Sequence, residues 1–203
     1  MRAAAMAERA VPIEPAGAEA AAFIDRLRAG DEQALCEAYR QHHAPVRAFA
    51  NRFLNEREAA EDLVHEVFVA LPRALRGFRG EASLRQFLLS MAVNLARHHW
   101  RAARRRRRAQ QCLAREPETP AVTPEHIVER RQLGRSLAAA LDELPLPQRA
   151  AFVLCELEER PAAEVARIVG TSEGNVRLRL YNARRTLRRL LAAWHPTHEE
   201  DRT

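Results

Sequence analysis

Between Glu173 and Trp194 the apolar residues Val176, Leu180, Ala183, Leu187, Leu190 and Trp194 return at helical period. Arg177, Leu178, Tyr181, Asn182 and Arg185 fall on the other side, so the pattern predicts a helix with one buried stripe and one outward face. The same period recurs upstream. Asp31 opens a helix carrying Leu35 and Tyr39, and Pro45 suits the first position of another, with Val46, Phe49, Ala50, Phe53 and Leu54 buried. From about Glu58, the residues Ala60, Leu63, Val64, Val67, Phe68 and Leu71 form a third stripe, leaving Glu61, Asp62, His65, Glu66 and Val69 outside. After the loop Gly77 to Ser83, the Ser83 hydroxyl can cap a helix that Gln86 reciprocates. That helix is expected to bury Leu84, Phe87, Leu88, Met91 and Leu95, with Val93, Asn94, Arg97, Trp100, Arg101 and Arg104 on the opposite side.

The pattern lapses from about Ala109 to Glu125, where Pro117, Pro120 and Pro124 interrupt a polar stretch. Helical spacing resumes from Ile127 to Leu144; Pro147 stands near a helix start, Ala150 to Leu157 reads as buried, and Pro161 and Gly170 bracket a short helix. Alternating apolar and polar runs are almost absent. The expected fold is all-α: two small helical domains joined by a flexible linker, the second a helix-turn-helix. The expected boundaries are a flexible leader over 1–20, an N-terminal domain over 21–108, a linker over 109–125, a C-terminal domain over 126–195 and a polar tail over 196–203.

Charge changes the picture next. All 33 basic residues are arginine, against 27 acidic ones, for a net charge of +6 in 203 residues. Seven arginines cluster between Arg97 and Arg108 and six between Arg177 and Arg189, which points to two contact zones on a polyanion. The third stripe's outer face is acidic instead, which points to a protein partner. Cys36, Cys112 and Cys155 are far apart and form no CxxC pair, so reduced thiols are expected rather than a disulfide framework or zinc site. Glu8, Arg9, Pro12, Glu14 and Pro15 break the alanine-rich start, so a signal peptide and a membrane span are not expected and a cytoplasmic location is. His42 with His43 and His98 with His99 point to different faces of a helix and do not make a metal site.

Ala166, Gly170 and Val176, four and six residues apart, have the spacing of a helix-turn-helix: a small residue at the crossing, glycine in the turn and an aliphatic anchor. Ser172 is placed to cap the second helix. Here the chain resembles a known family. "LDELPLPQRAAFVLCELEERPAAEVARIVGTSEGNVRLRLYNARRTLRRLL" is similar to the promoter-reading C-terminal domain of bacterial sigma factors. "GDEQALCEAYRQHH", "EAAEDLVHEVFVAL", "FRGEASLRQFLLSMAVN" and "RHHWRAARRRR" are similar to their N-terminal conserved domain, and the short connection resembles the extracytoplasmic-function (ECF) group.

The resemblance implies a dissociable specificity subunit of RNA polymerase that directs promoter-specific initiation, with no catalytic residue, cofactor or metal. It implies that Glu61, Asp62, His65, Glu66 and Val69 face the polymerase clamp. Phe78, Arg79, Asn94, Arg97, Trp100, Arg101 and Arg104 would read and open the minus-ten element as a non-template single strand, with a flipped base held among Phe78, Asn94, Arg97 and Trp100. Ser172, Asn175, Arg177, Leu178, Tyr181, Asn182, Arg184, Arg185 and Arg188 would meet the minus-thirty-five duplex, Arg184, Arg185 and Arg188 at phosphates. An anti-sigma partner is implied as well. The departures are His98 in place of a frequent aspartate, Leu178 in place of serine, Asn182 in place of arginine, Pro161 in place of a capping serine, and Pro72 where tryptophan is frequent, which is expected to shorten its helix.

Plainer readings stand beside these. Trp100 belongs either to the exposed face, which its phase favours, or to the core; Phe78 either meets a base or packs under its loop. A stand-alone helix-turn-helix regulator would account for the C-terminal domain but leave the acidic helix and the FRGEAS loop unused.

Overall fold

The computed structural model describes residues 18–80, 82–113, 134 and 136–194, with the backbone alone at 18, 102–113 and 193–194. Every regular element among these residues is helical. The N-terminal half contains α1 (Ala18–Ala29), α2 (Glu32–Leu54), α3 (Arg57–Ala74), a 3₁₀ turn at Leu75–Gly77 and α4 (Leu84–Leu113). The C-terminal half contains α5 (residues 136–142), α6 (Leu146–Phe152) continued by a π turn at Val153–Leu157, α7 (Ala162–Val169) and α8 (Glu173–Trp194). The leader before Ala18, residues 114–133 of the linker region and the tail lie outside the described residues, as do Glu81 and Ile127. α4 runs to Leu113, five residues into the stretch read as linker.

α2 is one helix through Pro45, not two. An internal proline removes a hydrogen bond and costs about 3 kcal/mol, yet the buried residues Ala34, Ala38, His42, Val46, Phe49, Ala50 and Phe53 form one unbroken stripe across it. Packing of that stripe on α3 and α4 offsets the loss. Asp31 caps α2 by accepting from the Ala34 N–H at 2.9 Å. The Arg26 guanidinium beside it, and then the Ala34 N–H, hold its carboxyl below the usual range. Pro72 likewise sits inside α3, which continues to Ala74 instead of shortening.

The buried side of α4 is rotated from the expected one. Leu88, Leu89, Ala92, Val93, Ala96 and Trp100 are buried, whereas Phe87, Met91 and Leu95 are half-buried. The physical reason is that α4 packs on two sides: against α2 and α3 within its own half, and against α7 from the other. One hydrophobic core therefore joins the halves, with Phe53 and Val93 continuous with Ala150, Val165, Ala166 and Ile168. Arg149, fully buried on α6, stacks its guanidinium 5.2 Å from the Phe53 ring centre and pairs with Asp142, and Arg52 of α2 pairs with Glu158. A smaller core of Ala140, Leu141, Leu144, Ala183 and Leu187 holds α8 against α5 and α6.

Candidate functional site

The helix-turn-helix forms as spaced. Pro161 precedes the first turn of α7, and Gly170 ends the helix in the left-handed conformation at φ 66°, its N–H donating to the Ala166 carbonyl. Ser172 begins α8 by accepting from the Asn175 N–H at 3.3 Å, and the Asn175 side chain donates to Thr171 Oγ1 at 3.2 Å. Val176, Ala183 and Leu187 turn inward. Arg177, Leu178, Tyr181, Arg184, Arg185 and Arg188 turn outward, while Asn182 is half-buried. Arg177, Tyr181, Arg185 and Arg188 follow one stripe of about 16 Å at 1.5 Å per residue, enough to cross a major groove about 12 Å wide. Glu173 pairs with Arg177 and Glu156 with Arg184, so a phosphate or base edge has to displace a carboxylate at those two positions.

On α3, Glu61, Asp62, His65, Glu66 and Val69 are all exposed, Val69 at 66%. Glu61 accepts from Arg57 at 3.0 Å, and Glu66 lies 2.7 Å from His99 Nε2 on α4. No cation lies at ion-pair distance from Asp62 among the described residues. Beside this face runs a mostly apolar groove of about 530 Å³ lined by Leu35, Tyr39, Phe68, Val69 and Pro72 among others. Tyr39 meets the Phe68 ring edge at 4.9 Å and stacks on His43 at 5.0 Å. Of the two apolar residues expected on α2 before Pro45, Tyr39 is exposed and Leu35 is half-buried against the core, because Ala34, Ala38 and His42 form the buried stripe.

The minus-ten candidates divide into two places. Phe78 and Arg79 stand on the loop after α3, at a cleft of about 620 Å³ whose walls include Phe23, Ile24 and Arg28 of α1, His42 of α2 and Ser83. Phe78 is half-buried, its ring centre 4.8 Å from that of Phe87, and Arg79 is exposed. Asn94, Arg97 and Arg101 form a separate exposed stripe on α4, beginning about 15 Å along the helix from Leu84. They do not line the cleft, so the single pocket expected from Phe78, Asn94, Arg97 and Trp100 is not formed. Trp100, expected on the exposed face, is buried at 7% exposure, because Leu89, Val93, Ala96 and Trp100 share one stripe at helical spacing. The Arg104 side chain lies outside the described residues. Arg97 borders the seam between the halves with Val93, Ala150, Val169 and Arg179, and Arg167 of α7 lies beside Phe78, Arg79 and Ser90.

Among the described residues no group of three or more His, Cys, Asp or Glu side chains is placed to hold a metal, and no helix is long and apolar enough to cross a membrane. Cys36 is exposed and Cys155 half-buried, both free thiols.

Comparison with known proteins adds a family to this geometry. Residues 38–106 match Sigma-70 region 2, and residues 134–187 match Sigma-70, region 4, together more than half of the chain. The chain is similar to the ECF RNA polymerase sigma factor SigE of Mycolicibacterium smegmatis, 33% identical over 170 residues that cover 80% of this chain and 65% of that one. It is similar to the RNA polymerase sigma-H factor of Pseudomonas aeruginosa, 25% identical over 177 residues, 83% of this chain and 92% of the relative. In fold it is similar to CnrH, solved with the cytosolic domain of CnrY, at a TM-score of 0.61 and 23% identity over 85% of this chain and 96% of that one. It is likewise similar to the sigma factor RpoE of Bartonella quintana, solved with the anti-sigma factor NepR, at a TM-score of 0.52 and 24% identity over 82% and 97%.

Proposed function

The chain belongs to the sigma-70 family, in its ECF group, and on that footing we propose a division of labour among three of its surfaces. As a sigma factor it binds core RNA polymerase and directs promoter-specific transcription initiation. The outer face of α3, with Glu61, Asp62, His65, Glu66 and Val69, docks on the polymerase clamp. Its carboxylates supply charge complementarity and the groove at Tyr39 and Phe68 supplies apolar contact. The outer face of α8 enters the major groove of the minus-thirty-five element. There Arg177, Leu178, Tyr181 and Asn182 face bases, Leu178 suited to a thymine methyl and Asn182 to adenine. Arg184, Arg185 and Arg188 reach phosphates, and Ser172 and Asn175 lie at the helix start where backbone N–H groups favour an anion.

The minus-ten strand follows the exposed stripe Asn94, Arg97 and Arg101 and continues to the loop. The cleft beside Phe78 and Arg79 has room for a flipped base; unstacking one costs a few kcal/mol, so its walls have to repay that by contact. Trp100 drops out of this set as a stacking platform. The protein acts as an initiation factor without chemistry of its own, works in the cytoplasm, and is held in check by an anti-sigma factor that covers the DNA-reading faces. The N-terminal domain of this assignment runs on to Leu113, the end of α4, instead of stopping at 108, and the C-terminal domain is the one expected over 126–195.

The observation that carries the reading is the pair of exposed faces of opposite sign, acidic on α3 and arginine-rich on α8, within one chain holding both sigma regions in order. A stand-alone operator-binding regulator leaves the first face without a use. The test is run-off transcription by reconstituted core polymerase over a randomised promoter library. The wild-type chain is expected to confer start-site choice. Asp62→Arg is expected to weaken core binding about ten-fold or more with an unchanged melting temperature. Tight operator binding without any effect on core polymerase would replace this function with the regulator.

A further inference from the structure

We propose that Arg28 is a positioning residue for promoter opening: from α1 its guanidinium fixes the backbone of the loop that presents Phe78 and Arg79. The inference rests on the reading of that loop given above. Arg28 precedes the residues matched to either sigma region.

The geometry is a fork. Arg28 Nε donates to the Leu75 carbonyl at 2.9 Å, and Nη2 donates to the Phe78 carbonyl at 2.7 Å. Nη1 donates to Asp25 Oδ1 at 2.8 Å, one turn earlier on α1. The two carbonyls stand at the start and just past the end of the 3₁₀ turn. Leu75 O also accepts from the Phe78 N–H at 3.1 Å, so this turn is closed once by its own backbone and again by α1. A planar group that bonds two carbonyls through the two N–H groups of one edge sets their mutual orientation as well as their distance, which a lysine ammonium cannot do.

The loop has a second tie at its other end, where the Gln86 N–H donates to Ser83 Oγ at 3.3 Å. Between the ties, Gly80 adopts φ 77° and Arg79 is exposed. Arg28 is thus the anchor at the entry of the loop, and Arg28 and Asp25 both stand in the wall of the cleft. With 36% of the Arg28 side chain exposed, its hydrogen bonds contribute modestly to global stability. Its effect falls on how far the loop is ordered before DNA arrives, and binding is weakened when such ordering has to occur on contact.

The experiment uses reconstituted holoenzyme of the full chain and the non-template single-stranded oligonucleotide that the wild-type holoenzyme selects from a randomised pool. The oligonucleotide carries 2-aminopurine at the flipped position. Arg28→Met, Arg28→Lys and Arg79→Ala are compared for strand affinity, 2-aminopurine fluorescence, discrimination among the four bases there, and affinity for core polymerase. Arg28→Met is expected to bind the strand about ten-fold more weakly and to flatten base discrimination, with core affinity unchanged and Arg28→Lys in between. Base discrimination is a readout that a merely structural role does not move. Wild-type strand binding by Arg28→Met, with Arg79→Ala impaired, overturns the assignment of Arg28 and leaves the loop reading intact. Loss of core and strand affinity in equal proportion in both Arg28 variants also overturns it, as general destabilisation. Wild-type behaviour of Arg79→Ala removes the loop reading itself, and the role of Arg28 with it.

Discussion

α4 and α8 are both long, arginine-rich helices, yet they expose themselves to solvent differently. α8 lies on the surface of its half, buries Val176, Ala183 and Leu187 along one stripe and leaves Arg177, Tyr181, Arg185 and Arg188 exposed, Arg177 in an ion pair with Glu173. α4 is gripped by α2 and α3 on one side and by α7 on another, and exposes only a narrow strip at Asn94, Arg97, His98 and Arg101 among its described side chains. The difference teaches that arginine content alone does not set reach: whether the packing partners gather on one side of a helix or on two decides how much of it a nucleic acid can touch. A duplex reader needs a wide free face. A strand reader needs a track and a pocket.

The largest expected effect tests the packing side of this contrast. Trp100→Ala on α4 should destabilise the protein by about 3–5 kcal/mol in denaturant unfolding, whereas Tyr181→Ala on α8 should stay within about 0.5 kcal/mol. Equal and small effects would mean that Trp100 is a surface residue after all, and the contrast would fail. Next, Arg177→Ala should lose about 1–3 kcal/mol of upstream duplex binding and relax preference at one position, while Arg97→Ala should leave that binding as it was. Arg188→Ala should weaken all sequences alike and reduce the salt slope by about 1. The seam itself is sharpened by a charge swap. Arg52→Glu alone should cost about 1 kcal/mol, and Arg52→Glu with Glu158→Arg should recover most of it in a double-mutant cycle.

The smallest effect is chemical. Burial, and then the neighbouring Glu156, push the Cys155 thiol up, against the pull of Arg184. Less of it is thiolate at neutral pH, so Cys155 should alkylate more slowly than exposed Cys36 and gain speed only as the pH is raised. Mass-spectrometric timing of iodoacetamide labelling reads this directly. Equal rates would mean that the packing of the π turn on α2, α6 and α7 leaves Cys155 open in solution.

The all-α class, the helix-turn-helix and the outward faces of α3 and α8 were legible because each of those two helices buries one apolar stripe and leaves the opposite side exposed. Legibility failed where small residues make the core. In α2 the buried stripe is Ala34, Ala38 and His42, and in α4 it includes Ala92 and Ala96; alanine lets helix axes approach closely. A scan for bulky apolar residues finds Leu35, Tyr39, Phe87 and Met91 instead, which sit on the flanks. Pro45 misled for a related reason, since the stripe continues through it. Arg28 escaped because its partners are carbonyls about fifty residues away, and backbone acceptors leave no trace in side-chain pattern.

The contact of α7 with α4 has a consequence for how the molecule answers its surroundings. The two halves belong to one chain, so parting them is a unimolecular event whose balance does not depend on protein concentration. Dilution therefore leaves the seam shut. Only a ligand that prefers the parted form opens it, and by no more than the difference between its affinities for the two forms.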